Sequence, residues 1–131
     1  MSKASGTFTV TGGNEDTIRG AAGELRVTRV SGRQRFEGEI AGEGTVHWLM
    51  LYSPDGSARF AGFQHVEGSI AGRSGSLMME STGSHDGRSS VGTWRIVPGS
   101  GAGELAGIAG HGTFEAPGGA VVSYELEYEL G

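Results

Sequence analysis

The sequence predicts an all-β domain, a single antiparallel up-and-down barrel spanning residues 1–131. Three observations predict it. Glycine supplies 26 of the 131 residues, where about 7% is ordinary, and a sheet closed on itself uses glycine at turns and bends. Short runs of β-forming residues alternate with Gly, Pro and Asp throughout. No segment supports a helix of three turns. The best candidate, residues 17–24, contains Gly20 and Gly23, each costing about 1 kcal/mol against alanine.

Strands are expected, in order, at 5–11, 24–31, 33–41, 44–52, 58–69, 74–83, 89–97, 111–116 and 120–130. The phrase Phe36-Glu-Gly-Glu-Ile-Ala-Gly-Glu-Gly-Thr-Val46 is echoed by Val66-Glu-Gly-Ser-Ile-Ala-Gly-Arg-Ser-Gly-Ser-Leu77 and, more loosely, by residues 103–114. Each copy runs a strand into Ile/Leu-Ala-Gly and out into the next strand, as successive hairpins of a meander do. Tyr52-Ser-Pro-Asp-Gly-Ser57 is the clearest turn, since Pro presets φ and Asp-Gly suits its close. A three-residue loop there sets Met50 opposite Phe60, Trp48 opposite Gly62 and Val46 opposite Gln64. A four-residue loop shifts the pairing by one; turn chemistry favours the first.

That register puts Val46, Trp48, Met50, Tyr52, Phe60, Gly62, Gln64 and Val66 on one face. The other carries His47, Leu49, Leu51, Arg59, Ala61, Phe63 and His65. A strand apolar on both faces is buried on both, and a barrel has one interior. Leu49, Leu51 and Phe63, with Met78, therefore predict a homo-oligomer, dimer or trimer, with His47 and His65 beside the interface. The last strand alternates Val122, Tyr124, Leu126, Tyr128 and Leu130 with Ser123 and three glutamates, so its other face is solvated.

Composition excludes several classes. There is no cysteine, hence no disulfide, thiol nucleophile or Cys-ligated metal. No apolar run approaches the roughly 20 residues of a membrane span, and Met1 to Thr9 lack a signal-peptide pattern; a cytoplasmic home is expected. A sequence pI near 5.3 with one lysine, Lys3, argues against nucleic acid. No two histidines among His47, His65, His85 and His111 have metal-ligand spacing, and His85-Asp86-Gly87 reads as a solvated turn. Gly99-Ser-Gly-Ala-Gly103 has the look of a phosphate loop but lacks a following helix. Five of the ten basic residues lie between Arg19 and Arg35, as a solvated face or a patch that steers an anion. No metal and no cofactor are expected.

The inward face is the informative one. Extended along the chain, it gathers Trp48, Met50, Tyr52, Phe60, Met79, Ser81, Trp94 and Phe114 as a lining for a small hydrophobic molecule. Gln64, Tyr124 and Tyr128 are its candidate hydrogen-bonding and catalytic groups. Apolar walls with a few polar groups are how such sites are built. The competing reading is a barrel filled by its own side chains.

Trp48-Leu-Met-Leu-Tyr-Ser-Pro-Asp-Gly56, Phe60-Ala-Gly-Phe-Gln64, Gly72-Arg-Ser-Gly-Ser-Leu77, Gly92-Thr-Trp94 and Pro98-Gly-Ser-Gly-Ala-Gly-Glu-Leu-Ala-Gly107 resemble a bacterial family of small proteins with no assigned function. Its fold is similar to the allene-oxide-cyclase and dirigent-type barrel, of calycin type. The resemblance covers about residues 5 to 130. It implies a single barrel that self-associates and, from those relatives, a cyclase or isomerase holding a hydrophobic substrate in an apolar cavity. A carrier without chemistry and a structural barrel are the alternatives. Acids are usual in that family at the positions of His47 and Gln64, so an acid–base role borne there does not carry over.

Overall fold

The computed structural model describes residues 1–118 and 121–130. Among these residues nine strands form one antiparallel sheet: β1 Ser2–Arg19, β2 Arg26–Gly38, β3 Ile40–Tyr52, β4 Ala58–Ile70, β5 Arg73–His85, β6 Ser90–Ile96, β7 Ala102–Gly103, β8 Ile108–Ala116 and β9 Val121–Leu130. Eight of them close into a meander barrel, β1-β2-β3-β4-β5-β6-β8-β9, sealed where β9 pairs with β1; the two-residue β7 hangs on β5. No helix among the described residues is long and apolar enough to cross a membrane.

The β3–β4 hairpin has the register that the turn chemistry favours, with Met50 opposite Phe60, Trp48 opposite Gly62 and Val46 opposite Gln64. Asp55 Oδ1 accepts hydrogen bonds from the Ser57 amide and hydroxyl and fixes the turn. The largest departures from the expected strand boundaries are in β1 and β2. The expected strands 24–31 and 33–41 are one strand, β2, and the chain turns at Gly38–Glu39 instead. Gly32 does not interrupt β2; it sits opposite Gly13 and Val46, where neighbouring backbone comes too close for a side chain. The first strand does not stop at residue 11. Thr11 is the extra residue of a β-bulge, with a register shift between Val10 and Gly12; Gly12 and Gly13 pair with Arg33 and Gly32, and β1 continues to Arg19.

Many glycines lie inside strands, not in turns. Facing into the barrel, Gly6 opposes Tyr124, Gly42 opposes Phe36, Gly62 opposes Trp48 and Gly83 opposes Phe60. Gly92 opposes Phe114, Gly112 opposes Trp94 and Gly110 opposes Tyr128. A ring laid across a glycine on the next strand is a way to fill a narrow barrel while its sheet bends sharply. A Cβ on Gly92 would stand 2.7 Å from two carbons of the Phe114 ring, well inside contact distance. The glycine content thus follows from the aromatic core as much as from the turns.

The core is a continuous aromatic stack. Phe8 packs on Phe36 and Trp94 with centroids 5.1 and 5.7 Å apart, and Trp94 packs on Phe114 and Tyr124 at 5.3 and 5.5 Å. These are the spacings at which aromatic pairs add to area burial. The end of the barrel at the β2–β3 and β4–β5 turns is shut by Ile40, Ile70, Leu105 and Ile108, each 1–2% exposed. Leu105 comes from the glycine-rich 97–107 connection, held to β5 by the Glu104 amide on the Ser74 carbonyl at 2.8 Å. That segment is a plug, not a phosphate loop.

Candidate functional site

The opposite end stays open. There the inward faces of the strands form a mouth of about 350 Å³. Phe8, Phe60 and Phe114 line it more deeply; Trp48, Met50, Tyr52, His85, Ser90 and Val122 line it towards solvent. Trp48 and Phe60 are 4.9 Å apart, centroid to centroid, and the Trp48 indole donates to Ser81 Oγ at 2.7 Å. The volume falls at the low end of about 300–1,000 Å³ for small-molecule pockets.

The eleven residues expected to form a site separate into two groups. Trp48, Met50, Tyr52, Phe60 and Phe114 come together at this mouth. Gln64, Met79, Ser81, Trp94, Tyr124 and Tyr128 are buried in the filled interior and do not line it. The polar atoms of Gln64, Ser81, Trp94 and Tyr124 are engaged. Gln64 Nε2 donates to Gln34 Oε1 at 2.9 Å, and Trp94 Nε1 donates to Gln64 Oε1 at 2.7 Å. Tyr124 Oη accepts from the Ile40 amide at 2.9 Å and lies 2.9 and 3.0 Å from the Glu37 and Ile40 carbonyls. It pins the β2–β3 turn, and burial pushes its pKa up.

Three polar groups, one in the interior, one lining the mouth and one bonded to its rim, were not among the sequence candidates. Gln34 is fully buried beside Gln64, with its Nε2 left without a partner. His85 is not in a solvated turn; it ends β5 and faces the mouth, its Nδ1 2.8 Å from Ser90 Oγ. Glu15 is the third. The bulge after Val10 inserts one residue, so Glu15 pairs with Val30 on the inward-facing row instead of Arg29 on the outward one. Bulges commonly re-aim a side chain in this way. Glu15 Oε2 accepts from Thr28 Oγ1 at 2.7 Å and from Tyr52 Oη at 2.6 Å. The Arg26 guanidinium lies over the Tyr52 ring, 4.6 Å from its centroid.

The electrostatics follow from these contacts. Partial burial raises the Glu15 pKa, but the hydrogen bonds from Thr28 and Tyr52 and the Arg26 charge outweigh it and hold the carboxyl below its ordinary value. Tyr52 is pushed up to about 12 by burial and by its bond to the Glu15 carboxylate. At neutral pH this corner is therefore a carboxylate, a neutral phenol and a guanidinium.

The outer face of β3 and β4 has exposed apolar side chains: Leu49 at 53%, Phe63 at 45% and Leu51 at 41%, while Met78 is half-buried. His47 is exposed and His65 half-buried on the same face. His111 makes an exposed pair with Glu127 at 3.6 Å. Among the described residues no group of three or more His, Asp or Glu could hold a metal ion.

Residues 4–128 match a family model described as "Protein of unknown function (DUF3224)". A crystal structure of a protein of unknown function from that family, from Shewanella oneidensis MR-1, superposes with a TM-score of 0.78 at 26% identity. The match covers 100% of this chain and 98% of that one. No curated protein matches the chain.

Proposed function

Because the chain belongs to the DUF3224 family, whose function is unknown, its role must be read from this geometry, and we propose that it binds a small hydrophobic molecule in the aromatic mouth. The observation that carries the reading is that the barrel is plugged by Leu105 at one end, while at the other the rings of Trp48 and Tyr52 stay half-exposed above the buried Phe60 and Phe114. A barrel needed only as a structural body gains nothing by leaving rings open to water, since burial is worth about 25 cal/mol per Å². Binding without chemistry is the better supported form. The groups that a cyclase or isomerase would draw on, Gln64 and Tyr124, are hydrogen-bonded away from the mouth.

Titration with naphthalene, followed by tryptophan fluorescence, tests this. Trp48 lines the mouth and Trp94 lies below it, so occupancy should change the emission saturably. Val122→Trp fills the mouth from its rim and should abolish binding with the circular dichroism spectrum unchanged. An emission that shows no saturation up to the solubility limit of naphthalene sinks the reading.

We also propose that copies of the chain associate through the outer face of β3 and β4. Arg29 on β2 and Glu80 on β5 flank Leu49, Ala61 and Phe63, and neither has an ion-pair partner among the described residues. A two-fold arrangement sets one copy's Arg29 towards the other's Glu80. Light scattering should give a mass above 13.5 kDa at tens of micromolar, falling to that of one chain in a folded Leu49→Glu, Phe63→Glu variant. A wild-type monomer overturns it.

A further inference from the structure

We propose that the mouth selects ligands carrying a hydrogen-bond donor, such as a phenol or alcohol, on an apolar body, and that Glu15 is the residue that accepts it. This rests on the mouth reading above. The argument comes from the direction in which each hydrogen bond runs. A carboxylate has no proton to give, so Glu15 can only accept. Both Thr28 and Tyr52 spend their protons on its Oε2. The Tyr52 oxygen is therefore left with lone pairs only, and no described residue donates to Glu15 Oε1. Arg26 apart, the polar corner beside the aromatic walls thus offers only acceptors.

Its place fits that role. Glu15 borders a depression whose lining is mixed, polar and glycine residues along 11–14 and 31–32 with Val10, Val30, Val46 and Trp48, and Val10 and Trp48 also line the mouth, with Tyr52 at its edge. Glu15, Val30 and Trp48 are neighbours in one row across β1, β2 and β3, so a ligand ring over Trp48 can turn its substituent towards this corner. Arg26 does not reverse the polarity. It lies over the Tyr52 ring and donates to Thr17 Oγ1 at 3.3 Å.

Equilibrium dialysis of 2-naphthol and 2-methoxynaphthalene against the intact protein at pH 7 tests the proposal. The two probes share a ring system, and only the first can donate. Naphthol should bind about tenfold tighter, the low end for a hydrogen bond to a charged acceptor because the corner is open to water. Glu15→Gln gives the sharper test. Thr28 and Tyr52 both donate, so they will hold the carbonyl oxygen of the new amide, which puts its NH2 where Oε1 was. The preference should then vanish or invert while the methoxy probe binds at least as well. Equal binding of both probes to the wild type, or an unchanged preference in Glu15→Gln, overturns the proposal and leaves the mouth reading standing. If neither probe binds, the mouth reading itself fails.

Discussion

Replacing Trp94 with alanine lowers the free energy of unfolding by about 3–5 kcal/mol, the range for removing a buried aromatic side chain. Trp94 is 2% exposed and packs against Phe8, Phe36, Phe114 and Tyr124. Its partner across the β6–β8 ladder is Gly112, which has no side chain to move into the space, so the cavity persists. The loss also strands Gln64 Oε1, which accepts the indole proton. Typical domains have about 5–15 kcal/mol in total, so the variant should unfold at a much lower urea concentration. Trp94→Phe keeps a ring and should cost clearly less. A loss under about 1 kcal/mol for alanine would mean that the interior is not packed around this residue.

Gln64→Leu should also act on stability, at a cost of about 2–6 kcal/mol. The substitution leaves the Trp94 Nε1–H and Gln34 Oε1 buried without partners, and each such group costs about 1–3 kcal/mol. The sequence alone assigns Gln64 to ligand binding, which predicts weaker binding in a sound fold. The structure makes it the hub of Gln34–Gln64–Trp94. A double variant separates the two. Gln34→Leu, Gln64→Leu removes both amides, including the Gln34 Nε2 that has no partner, and strands only the indole N–H. It should therefore cost less than the sum of the single changes by about 1–2 kcal/mol. Additive losses in urea melts would dissolve the network.

The fold was legible because its signals are local. Pro54-Asp55-Gly56 set the hairpin register, and that register put Trp48, Met50, Tyr52 and Phe60 on one face, as they are. What escaped depends on glycine. Gly12, Gly13 and Gly32 look like punctuation, yet they lie within β1 and β2. Gly32 taken as a break cuts the alternation Thr28, Val30, Gly32, Gln34, Phe36 and hides Gln34 as an inward residue. Reading Gly12 as an end left Glu15 outside any strand. A Gly pair between β-forming runs can equally mark a bulge, and only pairing with β2 shows which. Depth along the barrel was the other missing quantity. Alternation gives the face of Gln64 and Trp48 alike, and not that one is plugged below and the other open above.

The seam between β1 and β9 has a kinetic consequence. Each of the other seven neighbour pairings joins strands that follow one another closely along the chain, and most need only a short turn to form. The seam brings Ser2 opposite Tyr128, so almost the whole chain lies within the loop it closes. Loop-closure entropy grows with loop length, and non-local pairings slow folding. The hairpins can therefore form early and cheaply while the seam waits for them. Tyr124 stands on that late strand yet anchors the β2–β3 turn, so the last strand to arrive is also the one that locks the first hairpins in place.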